Sequence, residues 1–417
     1  MRTGPPGAPR TTGAGGLQKR GRTVIRARAG SWAAALAMAA STFLGTGARA
    51  QAPAAGATDT APLLLVAALH GREVAMRLEG RSATAARTPA ARTAATQYAL
   101  GLDQMSRGHF DSATAAFLAA ATASPDVARY RGDLGFAFAA GGHWSDAEDQ
   151  YRIAVRLQQN NAWYYVSLGA TQLAQEHWNQ AAASFTLAVA ADSGVIIRQL
   201  IEPAGDAYER SRNVEALDTW SRMAIARFPD QPTPWLRVAS ANLRSDTSVG
   251  FPAIRRYRTM KPQDLVGAML YSEYLFLGGR FDSSAVMAEQ ATADTSLHHL
   301  ASVILYNVGG HYLTAGQPDS AAQVLIAGRA VADSADFARY DLLIGVAKLK
   351  QLQVFYNDAA GKGDCHKAHA ADSMLTNVTQ LITAGLSADS ALANQALRGT
   401  TQYRPVIAQF VHQCGGR

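Results

Sequence analysis

The stretch LGFAFAAGGHWSDAEDQYRIAVRL, residues 134–157, decides the fold. It contains two helical patterns broken at Gly141-Gly142-His143. Its flanks repeat it. LGLDQMSRGHFDSATAAFLAAATA occupies 100–123 and LGATQLAQEHWNQAAASFTLAVAA occupies 168–191, each displaced by 34 residues without a gap. Leu100-Gly101, Leu134-Gly135 and Leu168-Gly169 correspond, as do Phe110, Trp144 and Trp178. Three further columns follow: Ala113, Ala147 and Ala181; Phe117, Tyr151 and Phe185; Ala120, Ala154 and Ala188. Matching columns at one period mark a repeat architecture, in which each unit hides its apolar face against the next.

The order of Leu-Gly, then Ala, then an aromatic four residues later resembles the tetratricopeptide repeat (TPR) family over residues 94–193. The resemblance implies an all-α solenoid of antiparallel helix pairs. Glycine inside a helix costs about 1 kcal/mol relative to alanine, so Gly101, Gly135 and Gly169 imply close approach of paired helices. The aromatics are expected to fill the space between successive pairs. Ser106-Arg107-Gly108-His109, Gly141-Gly142-His143 and Gln175-Glu176-His177 are the expected polar turns.

Three repeats are expected at 94–127, 128–161 and 162–195, with degenerate ones continuing to residue 335. Ala216 and Trp220, then Ala253 and Tyr257, restore the alanine–aromatic pair. Gly279-Arg280-Phe281 resembles the glycine turn, and Gly309, Tyr312, Gly316, Ala321 and Leu325 form another unit. Residues 336–417 are expected to cap the last apolar face. Helices are predicted there over 337–356, 366–385, 387–397 and 405–412, with a loop at 358–364 and Ser387 as a cap.

The N-terminal 50 residues read as an export signal. Eight basic residues and no acid precede or flank an apolar stretch from Trp32 to Leu44, and Ala48-Arg49-Ala50 suits signal peptidase, giving Gln51 as the mature start. The apolar stretch is too short for a comfortable membrane span, so the processed chain is expected in the periplasm or secreted, with no stable span. No cysteine closely follows it, as a lipoprotein anchor requires, and it has no Arg-Arg pair. Residues 51–93 are expected to be a linker, partly ordered at most, containing one apolar run from Leu63 to Leu69.

That signal also explains the charge. The chain carries +7, but removing the eight leading cations from its 39 leaves 31 basic against 32 acidic residues. The remainder lacks the basic excess that nucleic-acid binding needs.

Two cysteines, Cys365 and Cys414, lie in the last fifth of the chain, and an exported protein most simply joins such a pair as a disulfide. The competing arrangement is zinc held by Cys365, His369, His412 and Cys414, with His366 nearby, although the spacing matches no standard zinc motif. His109, His143 and His177 recur at the repeat period. Helices about 8–10 Å apart place them in a row, which cannot converge on one ion with bonds near 2 Å. They are expected to be exposed turn residues ahead of a buried aromatic. Gly-x-Ser-x-Gly and the phosphate-binding Gly-x-x-x-x-Gly-Lys-Ser/Thr are both absent, and no catalysis or cofactor is expected.

The family resemblance places a partner protein or peptide in a concave groove lined by the first helix of each repeat. The corresponding residues are Tyr98, Leu102, Met105, Arg129, Phe136, Trp163, Val166 and Leu173. They are mostly apolar and aromatic, suited to a hydrophobic segment or a packed helix, and they lack the Lys and Asn set of carboxylate-clamping relatives. Some of them are equally suited to filling the solenoid interior. The run from Leu63 to Leu69 is itself a candidate occupant of that groove.

Overall fold

A computed structural model describes residues 60–79 and 88–415. The predicted export signal, its cleavage after Ala50, and residues 51–59 and 80–87 of the predicted 51–93 linker lie outside these residues. Among the described residues the chain is helical throughout, with no strand. No helix is long and apolar enough to cross a membrane.

A separate helix, α1 (Ala61–Glu79), precedes eight helix pairs. These are α2 (Pro89–Ser106) with α3 (Phe110–Ala123), α4 (Ala128–Ala140) with α5 (Trp144–Leu157), and α6 (Ala162–Ala174) with α7 (Trp178–Ala191). Then come α8 (Arg198–Arg210) with α9 (Val214–Arg227), α10 (Pro232–Asn242) with α11 (Thr247–Met260), and α12 (Leu265–Leu277) with α13 (Phe281–Ala291). The last pairs are α14 (His298–Thr314) with α15 (Pro318–Ala330) and α16 (Phe337–Lys362) with α17 (Cys365–Ala384); α18 (Ser390–Gly415) closes the chain. Each helix packs on its pair mate and on the next pair, the nearest-neighbour pattern of a solenoid. The all-α solenoid that the family resemblance implies is therefore the fold, and the period sets the helix boundaries: α3, α5 and α7 begin at Phe110, Trp144 and Trp178.

The glycines act within each pair. A Cβ on Gly101 would lie 2.5 Å from the Phe117 ring, one on Gly135 3.2 Å from Tyr151, and one on Gly169 2.7 Å from Phe185. The repeat aromatics, expected between successive pairs, thus sit against the glycine of their own pair. The other aromatic column also differs from expectation. Phe110 is exposed, and Trp144 and Trp178 are half-buried, each just after an exposed histidine at the helix start. The turns need a left-handed residue, supplied by Gly108, Gly142, Gly279 and Gly316, but by Glu176 and Arg212 in two repeats.

After α7 the period slips because short 3-10 turns enter. Ser193–Val195 and Thr295–Leu297 each follow an aspartate, Asp192 and Asp294, whose side chain accepts from a backbone N–H two residues on. Asp, Asn and Ser favour such local bonds over continued helix.

The C-terminal part departs from its predicted boundaries. α16 continues through the expected 358–364 loop to Lys362 and stops at Gly363, which is left-handed. The two expected helices 387–397 and 405–412 are one helix with Pro405 inside it. Asp389, not Ser387, caps it, accepting from the Leu392 N–H at 2.9 Å. The α2 start also moves forward into the predicted linker, to Pro89. Thr88 caps it by accepting from the Ala91 N–H, and proline suits the first helical position because its missing N–H has no partner there anyway.

Candidate functional site

α1 lies across the face of the first helices α4 and α6, packing on both and touching α8. The apolar run expected as a possible groove occupant is the start of this helix. Leu63, Leu64 and Ala67 are buried in one cluster with Trp163, Val166 and Leu173, and Phe136 packs against that cluster. Gly71 lies at a close approach: a Cβ there would sit 3.2 Å from the Tyr164 ring and 3.4 Å from the Trp163 Cβ. Beside it, the His70 ring stacks on Trp163 with centroids 4.6 Å apart.

Polar bonds fix the register. Arg72 donates from Nε at 2.9 Å and from Nη2 at 2.7 Å to the Asp133 carboxylate, which is 2 % exposed. Tyr98 donates its hydroxyl to the same carboxylate at 2.5 Å. Asn161 donates from Nδ2 to the Gly71 carbonyl at 3.0 Å. At the far end of α1, Arg129 pairs with Glu79 at 3.2 Å, and its guanidinium lies over the Tyr98 and Tyr130 rings. A buried carboxylate is tolerated only when paired and hydrogen-bonded. Burial works against the Arg72 charge, but the bond to Asp133 and its negative charge outweigh it, holding the guanidinium above its usual range. Burial also pushes the Glu79 carboxyl up, opposed in part by Arg129.

Of the eight residues singled out by sequence, α1 meets five: Arg129, Phe136, Trp163, Val166 and Leu173. Tyr98 reaches it through Asp133. Leu102 and Met105 stay outside its footprint, half-buried against the α2–α4 cluster. Sequence reasoning missed Asp133, Asn161, Tyr164 and Arg72. A signal for one of them existed, since Asp133 is an acid in the middle of the apolar helix that carries Leu134-Gly135; Gly71, next to Arg72, is a glycine without a repeat to explain it.

Further along, the face turns polar. Arg237 of α10 is 6 % exposed and is held by three α8 carboxylates: Asp206 at 2.6 Å, Glu202 at 3.1 Å and Glu209 at 3.6 Å. Gly205 makes room for it, since a Cβ there would sit 2.0 Å from the guanidinium. On α12, burial raises the half-buried Glu273 carboxyl to about 7.

At the C-terminal end Cys365 and Cys414 form a disulfide that ties the start of α17 to the end of α18. With both sulfurs bonded to each other, the alternative zinc set has no thiolate to offer, and His366, His369 and His412 are exposed around it. Among the described residues one other group brings possible metal ligands together, His299, Asp333 and Asp336, within 4.8 Å. His299 Nδ1 is already bonded to Asp333 at 3.0 Å and Asp336 is paired with Arg339, so these charges are compensated locally.

No family model matches the chain, and no curated protein matches it. Solved structures similar to it include the Pseudomonas aeruginosa PilF protein, at 16 % identity and TM-score 0.34, covering 49 % of this chain and 92 % of that one. YrrB, a TPR protein with an unusual peptide-binding site, is similar at 14 % identity and TM-score 0.36 over 43 % of this chain and 91 % of its own. A tetratricopeptide repeat protein from Parabacteroides merdae is similar at 13 % identity and TM-score 0.36, over 61 % and 99 %. At these scores the fold rests on the helix pairs and their period.

Proposed function

We propose that this chain is a protein-interaction scaffold of the cell envelope, non-catalytic, whose first-helix face is a concave groove that takes a helical segment of a partner protein. One observation carries the reading: that face is already built around a helix. Its apolar floor of Trp163, Val166 and Leu173 is flanked by polar groups that read a helix backbone and charge, Asn161 toward a carbonyl and Asp133 toward a guanidinium. Helix-in-groove recognition uses this combination of apolar anchors and fixed polar partners. Export is supported by the leading basic and apolar segment and by the disulfide, which persists in an oxidising compartment.

Photo-crosslinking residues placed at Leu102 and Met105, on the first-helix face outside α1, test it against others at the exposed Leu118 and Leu187 of the second helices. The scaffold predicts one partner captured in the envelope from the first two positions only. Equal capture from both faces, or none from either, contradicts it.

A further inference from the structure

The occupant of the face differs from every other helix in how it is attached. The solenoid helices contact neighbours in sequence order, whereas α1 binds residues 61 and 90 positions away and joins the chain only ahead of α2. It can therefore leave without breaking a helix pair. Its departure strips Asp133 of its arginine, leaving a buried carboxylate with the Tyr98 hydroxyl. The face thus demands a cation from whatever helix covers it. The fit of α1 is also incomplete: on the face it covers, Asn161 Oδ1 and the Tyr164 hydroxyl are buried without a hydrogen-bond partner. Asn161 is fully buried and Tyr164 is 2 % exposed, so with α1 in place neither unmet atom is open to water. Unpaired buried polar atoms weaken a contact, and a helix that pairs them binds better.

We propose that α1 is an internal stand-in, covering the face until a partner's helix displaces it, and that this partner helix is amphipathic and carries an arginine for Asp133. This rests on the scaffold reading and adds its regulation and its recognition code. The code is legible in α1: two leucines and an alanine on one face at 63, 64 and 67, a glycine at 71 against Tyr164, and an arginine at 72. A tethered competitor acts at a high effective concentration, so external helices bind weakly until the tethered one is loosened.

A fluorescent peptide of residues 60–79 serves as the probe helix, added to the full chain. Arg72→Ala in the chain loosens its own helix while the peptide keeps its arginine, and binding is expected to tighten at least tenfold. Asn at position 133 in the same chain (Asp133→Asn) is expected to abolish that gain. Equal binding by wild-type and Arg72→Ala chains overturns the proposal. Hydrogen exchange on the unmodified chain gives a second reading: α1 amides should exchange much faster than those of α4 and α6, and equal protection makes α1 a fixed part of the fold. A concentration-dependent dimer in which α1 is protected only at high concentration assigns the helix to a second copy and also overturns it. None of these failures removes partner capture at Leu102 and Met105, so the scaffold reading stands or falls separately.

Discussion

At the residue scale, two positions show physical chemistry overriding the repeat consensus. Glu176 holds the left-handed turn position that Gly108 and Gly142 hold in the preceding repeats, with φ of 61°. A side chain there costs roughly 1–2 kcal/mol, part of which glycine returns through its larger unfolded-state freedom. Glu176 is exposed, so Glu176→Gly should stabilise the chain by about 0.5–1 kcal/mol, read as a higher denaturation midpoint. An unchanged or lower midpoint means that the glutamate contributes contacts outweighing its backbone strain. Glu273 is the second case. Burial raises its carboxyl to about 7, so the folded state keeps a proton that the unfolded chain releases in the ordinary glutamate range. Between those values the folded state binds more protons, and stability falls as pH rises. The contribution is present in mild acid and lost through about pH 7. Glu273→Gln should therefore match the wild type near pH 4 and exceed it in melting temperature at pH 8. A difference that does not grow with pH would show that the carboxyl is well solvated.

At the element scale, the helix pairs from α2 to α7 were legible because their packing is local. Glycine, alanine and aromatic recur at fixed offsets wherever a helix must touch its own mate, as Gly169 touches Phe185. Legibility fell where the chain inserts a turn. The Asp192 and Asp294 caps shift the register by short 3-10 segments, and no periodicity announces them. At the C-terminal end the Asp358-to-Asp364 stretch looked like a loop by composition, yet α16 runs through most of it until Gly363 ends it in the left-handed region. Pro405 likewise looked like a helix start but lies within α18, a case of tertiary packing overriding a local signal. The disulfide was legible from the pair of cysteines read together with the export signal, beside the zinc alternative.

At the scale of the whole molecule, the candidate site was legible only in its floor. The family resemblance pointed to Trp163, Val166 and Leu173, which share the first helix of the third repeat. It did not locate Asp133 as a binding group, since its partner Arg72 stands 61 residues away in a segment that shares no period with the repeats. Long-range pairs of this kind leave no mark in a local pattern. The net charge of +7 misled in the opposite direction, describing a leading segment and not the solenoid.

The account depends most on the placement of α1 across the first-helix face, and engineered cysteines test this directly. A Cβ at Gly71 lies 3.4 Å from that of Trp163, close to the spacing of a disulfide, and the native cysteines are already paired with each other. In the Gly71→Cys/Trp163→Cys chain, mild oxidation should remove both new thiols and yield an internally bridged monomer. New thiols that stay free, or that bridge only between chains, would contradict the claim that this face is built to hold a helix.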